Sequence, residues 1–134
     1  MDRLRFAAVT LLLAVSVFAT LADTQSAALR VIDATPRGEL NQLSEANEIR
    51  LVFSEPMIPL GRTPTNAAPP WITMSPAAPG TWRWSGTTIL IFTPDPALPF
   101  ATQYTVTVAG SAASDAGRPL GTPFTFTFTT PTVK

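Results

Sequence analysis

The sequence predicts an all-β domain built as an antiparallel β-sandwich, and three observations carry that prediction. From residue 29 onward apolar and polar residues alternate with period two rather than 3.6. Turn-forming residues interrupt the alternation about every eight to twelve positions. The 134-residue chain is 46% apolar, with three tryptophans and eight phenylalanines, so one domain can bury a sizeable core despite 14 prolines.

Residues 1–22 stand outside that domain. Arg3 and Arg5 precede an apolar run from Phe6 to Ala22, and polar residues follow from Asp23 to Ser26, the layout of a secretory signal peptide. Cleavage is expected after Ala22, with Ala28 as a second small-residue exit. The rival is an uncleaved signal anchor, because the run approaches bilayer-spanning length. In either case the remainder is exported, to the periplasm or the cell surface, and meets a membrane only through this segment if it is retained. Residues 23–28 form a short linker and residues 29–131 the sandwich.

Within the sandwich, Leu29 to Pro36 opens as a strand that Pro36 closes, and Pro36 to Glu48 reads as a polar loop. Glu48 to Phe53 places Ile49, Leu51 and Phe53 on one face and Arg50 and Val52 on the other. The next stretch, FSEPMIPLG from Phe53 to Gly61, ends that strand: Pro56 and Pro59 remove ladder donors, and Met57 and Leu60 are expected to plug the end of the core. A proline-rich connection leads to a short strand, Trp71 to Ser75. Thr81 to Ser85 sets Trp82 and Trp84 on one face with Arg83 opposite, and Thr87 to Phe92 follows after a turn at Ser85 and Gly86, so the two form a hairpin. Gln103 to Val108 points Tyr104, Val106 and Val108 inward, and Pro123 to Thr130 does the same with Phe124, Phe126 and Phe128. About seven strands in a domain of this size predict an immunoglobulin-like, Greek-key sandwich with no helix required. Tyr104, just inside a late strand, has the position of a tyrosine corner, in which the phenol bonds backbone a few residues upstream.

The composition excludes much chemistry. Nine basic and nine acidic side chains leave no field that would draw nucleic acid. Cysteine and histidine are both absent, which removes thiol nucleophiles, thiolate metal sites, Ser–His–Asp chemistry and His-ligated zinc from this chain. Four candidate groups remain. Ser54 and Glu55 would make a catalytic pair or calcium ligands, but Pro56 marks them as a strand exit whose carboxylate is solvated or caps backbone. Asp33, Asp95 and Asp115 would join Glu55 in an oxygen-rich calcium site, although no repeated acidic spacing supports one. Trp71, Trp82 and Trp84 would stack on sugar rings if exposed, whereas tryptophans two apart share a face that is more often core or interdomain seam. Threonines 105, 107, 125, 127 and 129 would form an adhesive face, but β-branched residues suit the solvent side of any strand. The expectation is no catalytic residue, no metal and no cofactor, with no binding residue assigned.

FSEPM, TWRW, LIFTPDPALPFATQYTVTV, DAGRPLG and FTFTFTT occur here in that order. This succession resembles the bacterial immunoglobulin-like domain of exported surface proteins. It is most similar to the version at the N-terminus of bacterial alpha-2-macroglobulin-like proteins, where a segment like TPRGE, Thr35 to Glu39, precedes the FSEPM stretch. The resemblance implies a non-catalytic structural or interaction domain, whose partners are neighbouring domains of a longer chain or another envelope protein. In that family protease trapping depends on a bait region and often a cysteine-built thioester far downstream, and neither is present in this chain. The sequence is thus expected to be an N-terminal piece of a larger protein, a truncated reading frame or a free-standing domain. The competing class is a stand-alone surface module that binds a glycan or a protein.

Overall fold

The computed structural model describes residues 28–61 and 67–133. The expected signal peptide and its cleavage site lie outside these residues, as does part of the proline-rich connection. Among the described residues eight strands form two four-stranded sheets. One holds β1 (Val31–Thr35), β3 (Ile49–Phe53), β6 (Ile89–Pro94) and β5 (Gly80–Ser85) in the order β1-β3-β6-β5. The other holds β2 (Gly38–Glu39), β8 (Phe124–Thr129), β7 (Gln103–Val108) and β4 (Ile72–Ser75) in the order β2-β8-β7-β4. This is the immunoglobulin-like sandwich that the alternation predicts.

The period-two pattern sets which side chains fill the space between the sheets. Ile49, Leu51, Phe53, Leu90 and Phe92 from the first sheet meet Ile72, Tyr104, Val106, Val108, Phe126 and Phe128 from the second, all buried in one cluster. The β5–β6 hairpin forms as expected, with Ser85 opposite Ile89.

Three departures from the expectation have local causes. The segment read as a polar loop contains β2 and a 3-10 turn, Leu43–Ala46. Two residues of parallel pairing, Gly38 with Phe128 and Glu39 with Thr129, are too short to show a period. In the 3-10 turn, the Glu45 carboxylate accepts the backbone N–H groups of Asn41 and Gln42, both at 2.7 Å, while Ala46 is buried. Leu60, expected to plug the core, is 91% exposed: the turn at Gly61, with φ of 83°, carries the chain outward, and Met57 alone fills the core end.

TPRGE is the point where the chain changes sheets. Pro36 ends the β1 ladder, and Gly38 takes a φ of 72° that a side-chain-bearing residue rarely adopts. Between them Arg37 donates from Nε to the Ala34 carbonyl at 2.8 Å. Its guanidinium lies over Phe124 and Phe126 at 5.6 and 5.8 Å from the ring centroids, closing the gap between the sheets with a cation–π lid.

Candidate functional site

The end of the sandwich where β1 begins is organised around FSEPM, and each residue of the motif holds a different element. Phe53 is buried and stands edge-on to Trp71 at 5.6 Å. Ser54 exchanges bonds with Arg30: its Oγ accepts the Arg30 N–H at 2.9 Å, and its own N–H donates to the Arg30 carbonyl at 2.8 Å. The Pro56 carbonyl accepts the N–H of Asp115 from the β7–β8 loop, and the Met57 N–H donates to Thr87 in the β5–β6 turn.

Glu55 carries the main correction at this site. It is neither solvated nor capping nearby backbone, because Arg118 shares its Nε–H between both carboxylate oxygens at 2.9 Å, across 63 residues of sequence. The Glu55 side chain is only 15% exposed. The Ser114 Oγ accepts the Arg118 N–H at 3.2 Å, which leaves the hydroxyl proton free to face the carboxylate. The Ser114 hydroxyl and then the Arg118 guanidinium hold the Glu55 carboxyl below its ordinary pKa, against a smaller opposing effect of burial. With Glu55 bound to a cation and Ser54 Oγ turned to backbone, this geometry ties three loops together and leaves neither group placed as a base or a nucleophile.

The other candidates are dispersed or absorbed. Among the described residues no group of three or more acidic side chains gathers in metal-binding geometry, so Asp33, Glu55, Asp95 and Asp115 do not converge. Trp71, Trp82 and Trp84 are half-buried against the core. Trp71 and Trp84 pack on each other and on Phe53, and Trp82 lies 4.7 Å from Phe92. Each ring thus has part of its surface packed against core aromatics. The threonines line the outer face of β7 and β8 in register, Thr105 opposite Thr127 and Thr107 opposite Thr125.

Tyr104 is buried and stacks on Phe128 at 5.4 Å, but its phenol makes no hydrogen bond among the described residues, and burial pushes its pKa up. The corner bond belongs to Thr130 instead. Its buried hydroxyl donates to the Pro99 carbonyl at 2.7 Å and accepts the Thr102 N–H at 2.9 Å.

Compared with known families, residues 25–130 match the model of the bacterial Ig-like domain. The chain belongs to this family. Searches of curated proteins and of solved structures return no match. Domains of this family are structural in kind and typical of exported or surface proteins, and the arrangement at FSEPM accords with that.

The opposite end of this Ig-like domain holds a feature that the sequence reading missed. A cleft of about 590 Å³ opens between the β2 side, Glu39 to Leu43, and the exit segment after β8. Phe100 and Val133, 45% and 71% exposed, both line it. Only the isolated position of Phe100 in LPFATQY, outside any alternating run, hinted at it.

Proposed function

We propose that this Ig-like domain is a non-catalytic spacer in an exported protein, carrying the chain from one end of a rigid sandwich to the other. The observation that carries this reading is the placement of the two ends. Arg30, where the described chain enters, is bonded to Ser54 beside the β7–β8 loop, while Thr130, where it leaves, is bonded to Pro99 and Thr102 at the far end of the same strands. A domain with opposed ends adds its full length to whatever it joins. The signal-peptide layout of residues 1–22 and the family's usual setting support export to the periplasm or cell surface.

At a finer level, the resemblance of TPRGE and FSEPMIPLG favours the first domain of an alpha-2-macroglobulin-like protease-trapping protein. In that setting the domain would space later domains from the membrane or help frame the trapping cavity. The test is the reading frame past the Lys134 codon. An open frame that continues into further sandwiches and a cysteine-containing thioester motif is the expected result, and a stop codon immediately after Lys134 would contradict the reading.

A further inference from the structure

The edges of the two sheets are not equally protected. β1 carries a bulge between Val31 and Asp33 and is closed by Pro36, β2 pairs over only two residues, and β4 is four residues long between Pro70 and Pro76. β5 has none of these guards: it runs six residues without proline or bulge, Arg83 is its only charge, and every residue in it is exposed or half-buried. The phase of its ladder decides which backbone groups face outward. The Pro79 carbonyl accepts the Asp95 N–H at 3.0 Å, so the pair that precedes Gly80 and Pro94 is a hydrogen-bonded one. By alternation Thr81, Arg83 and Ser85 turn their amides to β6, while Gly80, Trp82 and Trp84 turn theirs to the open edge, where they have no backbone partner among the described residues.

We infer that this edge pairs with a second copy of the chain, β5 against β5, antiparallel across a two-fold axis at Trp82. The strand is complementary to itself in that register alone. Trp82 meets Trp82 of the second copy and Gly80 meets Trp84, so all three outward-facing residues of each strand form hydrogen-bonded pairs, about six bonds in all. Glycine opposite tryptophan leaves space beside the larger indole, and an aromatic side chain covers an edge glycine. On the solvent face Thr81 stands opposite Arg83 of the second copy, and each Arg83 keeps its own Glu48 at 2.7 Å. An axis at Arg83 would set two like charges directly opposite each other, and an axis at Thr81 would pair Trp84 beyond the end of the strand. The interface is isologous and closes at two copies, because each copy has one such edge among the described residues. It does not depend on the spacer reading.

Sedimentation equilibrium tests the pairing on the chain from residue 23, which holds every strand and the whole described core. Monomer should pass to dimer as concentration rises to about 1 mM, the weak range suited to a single strand pair. The register is tested at Thr81, which is exposed and bears no charge. Thr81→Lys places two like-charged pairs against Arg83 in the dimer and should weaken it about tenfold, whereas Thr81→Glu places two opposite pairs and should strengthen it, both with the monomer's melting temperature unchanged. In residue-resolved hydrogen exchange the Gly80, Trp82 and Trp84 amides should gain protection with concentration, and Thr73 on the β4 edge should not. A chain that stays monomeric at every concentration would overturn the proposal and leave the edge to a strand of another protein. A dimer indifferent to both Thr81 changes would place the contact elsewhere and overturn it, as would protection of the three amides that is already complete in the dilute monomer.

Discussion

Single side chains decide how the loops are held, and Glu55 is the first. Its pKa in the folded state lies below its unfolded value, so the folded state binds this proton less tightly. The stability it supplies is complete above the unfolded carboxyl pKa and is lost as pH falls through the folded one. Glu55→Gln should lower the melting temperature at neutral pH. The gap from the parent protein should narrow steadily in a thermal titration from about pH 7 to about pH 3; a gap independent of pH would argue against the pairing. Thr130 is the second such residue. Thr130→Val leaves the Thr102 N–H and the Pro99 carbonyl without this partner in a part-buried place and should cost about 1 kcal/mol in urea denaturation. Tyr104→Phe, which removes a phenol with no partner among the described residues, should cost less. The reverse ranking would restore the tyrosine corner that the sequence suggests. Position in sequence pointed to Tyr104 because its layout is local, while the Glu55–Arg118 and Thr130–Pro99 contacts span 63 and 31 residues and leave no local trace.

The strands themselves were largely legible, because alternation records which face is buried. Ile49, Leu51 and Phe53, and likewise Tyr104, Val106 and Val108, all point inward as the period requires. β2 was not legible: its two residues borrow their structure from β8, and only the glycine of TPRGE signalled a change of direction. Gly80, which opens β5, has a tertiary reason that composition does not reveal. A Cβ there would meet the Thr93 carbonyl oxygen and lie 2.6 Å from the Phe92 ring, which already packs against Trp82. Gly80→Ala should therefore destabilise the domain by about 1–3 kcal/mol through overpacking of the β5–β6 hairpin. An unchanged unfolding midpoint would mean that β5 sits farther from β6 than described.

For the whole molecule, the proposed spacer role rests on the opposed ends. Both ends are tied down by bonds distant in sequence: Arg30 to Ser54 where the chain enters, and Thr130 to Pro99 where it leaves. Rigidity from end to end follows from the single core between them. The candidate chemistry of the sequence was dispersed or neutralised by this architecture, whereas the exit cleft came into view only when the segment after β8 met the β2 side. The natural absence of cysteine makes the central claim directly measurable, because two introduced thiols can be spin-labelled without competition. With Ala28→Cys and Val133→Cys, double electron–electron resonance should give a single narrow distribution centred at roughly 30 Å or beyond, the span of some nine extended residues. A short distance, placing both ends on one side of the sandwich, or a broad distribution with no defined maximum would contradict the spacer.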